Sequence, residues 1–120
     1  MLQAKDLQIG DWYAFRGHPY QCTASDIASL AECEKQGAPT DISEIPITEE
    51  ILEKNFEKKT FYGIYDDYFD LSIREYSDSI YVVTFHNCDA SFPDQIVTLC
   101  FVHELQHFLH HCGIEKEIML

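Results

Sequence analysis

The sequence has few basic residues and no long apolar run, and both shortages limit what the chain can do. Eight lysines and arginines stand against 21 aspartates and glutamates, which gives a formal net charge of −13. An acidic chain of this kind is repelled by nucleic acid phosphates. The first residues, MLQAKDLQIGDW, lack the basic and apolar segments of a secretory signal, and no apolar stretch reaches membrane-spanning length. We therefore expect a cytoplasmic protein that binds neither nucleic acid directly nor a membrane.

The sequence also lacks the cysteine spacing of a disulfide framework or a zinc ribbon. Its five cysteines are an odd number without a CxxC pair, so we expect reduced thiols. A phosphate-binding glycine-rich loop and a nucleophile elbow are also missing. The composition is 46% hydrophobic and 13% aromatic, which is typical of a folded chain. With 120 residues, we expect one domain that spans residues 1–120.

The predicted secondary structure begins with a hairpin. Aromatic and β-branched runs at 11–15 and 20–24 flank a turn that contains Gly17 and Pro19, which indicates a β-hairpin or the start of a small open barrel. The apolar residues from Ile27 to Cys33 fit both the helical period and the strand period, and we assign this segment to a strand. A loop is expected from Glu34 to Ser43. A short helix is predicted after Thr48, which is a suitable N-cap.

The second half of the chain predicts an antiparallel meander followed by a helix. Strands are expected at 61–65, 69–74, 80–86 and from Ile96 to Phe101. Apolar and polar residues alternate in the strand at 69–74, and the strand at 80–86 is apolar on both faces. A loop is expected from Asn87 to Pro93. The predicted fold class is thus α+β and strand-rich, with an N-terminal hairpin or small open barrel, a short middle helix, an antiparallel meander and a C-terminal helix.

The stretch FVHELQHFLHHC, from Phe101 to Cys112, carries the strongest chemical signal in the sequence. It contains a His-Glu-x-x-His string at His103, Glu104 and His107. On a helix this spacing places two imidazoles one turn apart, where they can bind zinc, and the glutamate can act as general base. The alternative function that it indicates is a zinc-dependent metallopeptidase-like hydrolase, with His103 and His107 as metal ligands and Glu104 as the catalytic residue.

A third zinc ligand is not supplied by the string itself. The longer zincin pattern continues with Gly and then His at fixed offsets, but here His110 and Gly113 occupy those positions. The remaining source is upstream, where His86, Cys88 and Asp89 follow a predicted strand. An upstream ligand would give an unusual order of ligands along the chain.

The helical wheel favours a different interpretation of the histidines. At about 100° per residue, His103, His107 and His110 lie opposite the apolar arc of this helix and are expected to point away from the core. On this interpretation the histidines form a surface that contacts another protein, with no catalytic residue, no metal and no cofactor.

Four segments together resemble a known group of proteins. They are LQIGDW, IPITEEIL, YFDLSIREY and VHELQHFL, the last of which precedes a Cys-Gly-Ile ending. The chain resembles a family of small uncharacterised proteins from Bacteroides-type bacteria and their phages or mobile elements. The family's string matches Val102, His103, Leu105 and Gln106, without a fixed histidine where His107 stands. The resemblance implies a packing and helix-start role for the string, and the family carries no established activity.

The favoured hypothesis is a small, acidic, non-enzymatic protein that acts by binding another protein. A basic partner agrees best with the net charge of −13. Besides the zinc hydrolase, one further alternative is an acidic inhibitor that mimics nucleic acid and competes with it for a bacterial enzyme.

Overall fold

A computed structural model of the chain describes residues 2–88 and 93–120. In chain order the elements are a 3₁₀ turn (Ala4–Asp6), β1 (Trp12–Phe15), β2 (His18–Gln21), α1 (Ala24–Gln36), β3 (Ile42–Ser43), α2 (Glu49–Asn55), β4 (Glu57–Lys58), β5 (Tyr62–Tyr65), β6 (Phe69–Ser77), β7 (Ile80–Asn87), β8 (Gln95–Leu99) and α3 (Val102–His111). Within the described residues, no helix combines the length and apolar character needed to cross a membrane.

The strands form two open antiparallel sheets, with the orders β2-β1-β3 and β4-β5-β6-β7-β8. The predicted α+β class is therefore confirmed. The chain divides into two compact units, a first unit of Met1–Ile45 with Phe101–His107 and a second unit of Pro46–Cys100 with Phe108–Leu120. All five cysteines are free, and Cys22 is the most deeply buried of them.

The first unit contains the predicted N-terminal hairpin, but its second strand is β2 (His18–Gln21) rather than the predicted 20–24, because Thr23 caps α1 and Ala24 begins it. Strands β1 and β2 pair antiparallel, and Phe15 stands opposite His18 across a two-residue turn. The turn residues Arg16 and Gly17 have φ angles of 52° and 82°, as a type I′ hairpin turn requires. Strand β3 extends the sheet on the other side of β1. The core of this unit is a cluster of Leu2, Ala4, Leu7, Cys22 and Leu30, against which Tyr13, Ile27 and Ile42 pack.

The segment from Ile27 to Cys33 is the middle of α1, so the strand predicted there is wrong. The decisive signals lie at the helix ends. The Thr23 hydroxyl accepts the Asp26 N–H at 3.2 Å, and the Asp26 carboxylate accepts the Thr23 N–H at 3.0 Å, which forms a capping box. Gly37, with φ of 74°, ends the helix.

The loop predicted from Glu34 to Ser43 is correspondingly shorter. Helix α1 continues to Gln36, and Ile42–Ser43 forms β3.

The second unit contains the predicted middle helix and meander. The Thr48 hydroxyl caps α2 by accepting the Ile51 N–H at 3.3 Å. Strand β7 lies between β6 and β8, as expected of a strand that is apolar on both faces. Strand β8 ends at Leu99, two residues before its predicted end, and the edge strand β4 was not predicted. The predicted loop from Asn87 to Pro93 lies mostly outside the described residues, and Asn87 itself ends β7.

One glycine in the five-stranded sheet is required by a close approach between strands. Gly63 of β5 stands opposite Ser72 of β6. A Cβ at position 63 would lie 1.9 Å from the carbonyl oxygen of Leu71 and 3.0 Å from its carbonyl carbon. Both atoms belong to the backbone, so a side chain at position 63 forces the two strands apart.

We predict that Gly63→Ala destabilises the protein by about 3 kcal/mol, the upper end of the usual overpacking cost, because backbone rather than a flexible side chain must move. Gly37→Ala is the control, since its Cβ meets nothing within 4 Å and the cost is only that of a left-handed alanine, about 1 to 2 kcal/mol. Urea unfolding of both variants measures the difference. A loss in Gly63→Ala no larger than in Gly37→Ala would contradict the close approach.

Candidate functional site

Helix α3 begins with a backbone cap made by the glutamate of the His-Glu-x-x-His string. The Glu104 carboxylate oxygen Oε1 accepts the Phe101 N–H at 3.0 Å, so Glu104 satisfies a donor that the first turn of a helix leaves unpaired. The next donor, the Val102 N–H, bonds to the Ile45 carbonyl at 2.8 Å. A negative side chain in the first turn also suits the helix dipole. Glu104 therefore acts as a helix-start residue.

Gln106 joins the helix to the segment before β1. Its amide oxygen accepts the Trp12 N–H at 2.8 Å, and its amide nitrogen donates to the Gly10 carbonyl at 3.0 Å. The side chain thus pairs with the backbone as a neighbouring strand would, using both of its polar groups. Gly10, whose φ is 95°, supplies the left-handed turn that presents this carbonyl.

His107 is paired with an aspartate from the same segment. Its Nε2 lies 2.5 Å from Oδ2 of Asp11, and because a carboxylate only accepts, Nε2 carries the proton. The Asp11 carboxylate also accepts the Gln8 N–H at 2.7 Å. The Asp11 side chain is only 5% exposed, whereas that of His107 is 31% exposed.

His103 is buried, with 7% of its surface exposed, so the prediction that it points away from the core is wrong. Its ring stacks on Phe101, with centroids 6.2 Å apart, and the His107 ring stands edge-on to it at 5.7 Å. Its Nδ1 has no hydrogen-bond partner among the described residues. The helical wheel failed because the N-terminal segment covers the side of α3 opposite the apolar arc.

Burial lowers the pKa of His103, because a buried imidazole resists becoming charged. The nearby Glu104 carboxylate opposes this shift, and His107 adds to it. The imidazole of His103 is therefore neutral at neutral pH.

The structure describes most of the other residues that the sequence analysis singled out. His110 is exposed near the end of α3, as predicted. His86, in β7, has its Nδ1 2.6 Å from Oδ1 of Asp94. Cys88 is exposed, and Asp89 lies outside the described residues. Across residues 2–88 and 93–120, no three histidine, cysteine or acidic side chains are grouped so that they could hold a metal ion.

The first unit also has a surface groove, which sequence reasoning did not predict. It has a volume of about 310 Å³ and lies where residues of β1, α1 and the segment leading into β3 meet. Its apolar lining consists of Leu7, Phe15, Leu30, Cys33, Pro39 and Ile42. Ser29, on the exposed side of α1, also lines it.

Two carboxylates and one guanidinium border this groove. The Asp26 carboxylate interacts with the Tyr13 hydroxyl. The pKa of Tyr13 is raised, mainly because the hydroxyl is partly buried and secondly because of the negative charge of Asp26. On the loop before β3, Asp41 Oδ2 lies 3.5 Å from Nε of Arg16, and both side chains are more than half exposed. The groove therefore combines an apolar floor with a small excess of negative charge.

Comparisons with family models, with curated proteins and with solved structures gave no match to this chain.

We predict that Gln106→Ala destabilises the protein by about 1 to 3 kcal/mol, the usual loss when partly buried polar groups lose their partner. The matched control is Gln21→Ala, because the exposed Gln21 amide also donates to the Gly10 carbonyl, at 3.3 Å. We expect its effect to stay within about 0.5 kcal/mol. Urea unfolding at neutral pH compares the two. Equal losses would show that the Gln106 pairing is not a major contributor.

We also predict that acidification destabilises the protein through His103. The pKa of His103 in the folded protein is lowered. Below about pH 6.5, the ordinary pKa of histidine, the unfolded chain therefore binds more protons than the folded protein does. The free energy of unfolding then falls as the pH drops through that value. His103→Phe removes this titration and keeps the stacked ring.

Urea midpoints measured between about pH 7.5 and 5.5 should therefore fall less in His103→Phe than in the wild type. His110→Phe, at an exposed histidine of the same helix, should keep the wild-type slope. If His103→Phe keeps the wild-type slope as well, His103 is not the group responsible.

Proposed function

We propose that this protein acts without catalysis, by binding another protein in the cytoplasm of a bacterium or during phage infection. The observation that supports this function best is the open groove of about 310 Å³ in the first unit, with its largely apolar lining. Apolar surface grouped in a concave site is typical of binding sites rather than of ordinary surface.

The contacts of the histidine string support binding over hydrolysis. Glu104 caps a backbone N–H, Gln106 pairs with backbone groups, and the His107 ring faces the Asp11 carboxylate. Glu104, Gln106 and His107 thus each have a partner in the fold, whereas Nδ1 of His103 has none among the described residues. The contact surface in this proposal is therefore the groove, and it replaces the surface of His103, His107 and His110 that the sequence suggested.

The charge supports a protein partner over nucleic acid. At a net charge of −13, phosphates are repelled at long range, whereas a basic protein surface is attracted and its association is accelerated.

The test is a selection of peptides from a random display library on the full wild-type chain, after which the affinity of each selected peptide is measured for the wild type and for the variant Ser29→Trp. Ser29 lines the groove, so an indole there fills it. Ser25→Trp is the matched control, because Ser25 is exposed on the same helix outside the groove lining. We expect Ser29→Trp to weaken the selected peptides by about tenfold or more and Ser25→Trp to leave their affinity unchanged.

A second blocking variant, Thr40→Trp, places the same indole on the segment before β3, which also lines the groove. Fluorescence anisotropy of labelled peptides gives the affinities, and circular dichroism checks that each variant is folded. Peptides that bind both blocked variants as well as the wild type would place binding outside the groove and overturn the proposal.

A further inference from the structure

The groove is better suited to a side chain presented by another protein than to a separate small molecule. Its volume of about 310 Å³ is at the lower limit of the roughly 300–1,000 Å³ found for sites that enclose drug-sized ligands. The lining residues Arg16, Pro39 and Asp41 are exposed, so the groove stays open to the surface. An occupant attached to a larger surface needs no enclosure, because contacts beyond the groove contribute to its binding.

One carboxylate in the groove is held in place before any partner arrives. Asp26 accepts the Thr23 N–H at 3.0 Å as part of the α1 capping box and interacts with the Tyr13 hydroxyl. A carboxylate fixed by the fold loses little conformational freedom on binding. The Asp26 carboxylate is therefore a preorganised hydrogen-bond acceptor beside the apolar floor.

The second carboxylate is only loosely paired. The atoms of Arg16 and Asp41 approach to 3.5 Å, with side-chain exposures of 70% and 53%, and an exposed pair of this kind contributes little. An incoming cation can therefore share or replace the contact with Asp41. An incoming anion would meet two carboxylates against one guanidinium, and the overall charge of −13 would repel it.

We propose that the groove binds a segment of a partner protein in which an apolar side chain stands next to a lysine or arginine. The apolar side chain occupies the floor formed by Leu30, Ile42 and Phe15, and the cation contacts Asp26, with Asp41 as a second acceptor. This inference rests on the proposed function, because it names the occupant of the same groove.

The test uses the tightest Ser29-dependent peptide from the display selection and an analogue in which each lysine is replaced by norleucine and each arginine by citrulline. Affinities of both peptides are measured for wild type, Asp26→Asn, Asp41→Asn and Glu32→Gln. An asparagine at position 26 keeps an oxygen that can accept the Thr23 N–H. Glu32→Gln removes the same charge from an exposed position of α1 outside the groove lining.

We expect Asp26→Asn to weaken the charged peptide by about five- to tenfold and the neutral analogue by less than about twofold. Asp41→Asn should show the same pattern with a smaller change, and Glu32→Gln should leave both peptides unaffected. Raising the salt from about 50 to 500 mM should weaken only the charged peptide. Because the analogue controls for damage to the groove, a variant that merely loosens α1 would weaken both peptides equally.

The outcomes separate this inference from the proposed function. Ser29-dependent peptides without lysine or arginine, or equal losses for the charged peptide and its analogue, would overturn the inference and leave groove binding standing. A selection that yields no Ser29-dependent peptide would overturn both.

Discussion

The first unit depends on one side-chain amide that binds the backbone of a distant segment. The Gln106 side chain donates to the Gly10 carbonyl and accepts from the Trp12 N–H. Gly10 and Trp12 lie 96 and 94 positions before Gln106 in the chain. The adjacent His107 and Asp11 make a second contact between the same segment and α3. These contacts fix the start of β1. Strands β2 and β3 both pair with β1, and residues of β1 form one wall of the groove. A protein whose five cysteines are all free thus ties its N-terminal segment to its last helix through hydrogen bonds between partly buried polar groups.

This constraint explains why the His-Glu-x-x-His string has a structural role. Spacing alone places His103 and His107 one turn apart, and the structure does bring their rings together, at 5.7 Å. What spacing cannot show is the backbone and carboxylate that approach the helix from the other end of the chain. Asp11 and Gln106 are the residues missed by sequence reasoning. Their only signal was their position in two segments, LQIGDW and VHELQHFL, that were noted for a family resemblance.

Elements with strong local signals were predicted well. The N-terminal hairpin, the Thr48 cap and the alternation of β6 each depend on neighbouring residues, although the hairpin turn is two residues shorter than predicted. The strand wrongly assigned to Ile27–Cys33 shows the limit of periodicity in a short segment, because its ends, at Thr23, Asp26 and Gly37, decided between helix and strand. The groove could not be predicted, since it needs residues of β1, α1 and the segment before β3 to meet in space.

Part of the acidic excess has a local explanation in the fold. Asp6, Asp26, Glu49, Glu50 and Glu104 all stand in first helical turns, where negative charge is favourable. Net charge favours a basic partner in general, but it does not by itself locate the surface that such a partner contacts. Of these five residues, Asp26 is the one that lines the groove of the first unit. A partner that fills this groove removes water from the carboxylate, which strengthens its attraction to a cation but makes an unpaired carboxylate costly. In the proposed complex, selectivity for a cation would arise from the placement of one charge beside an apolar floor, whereas the total charge would mainly affect how fast a basic partner arrives.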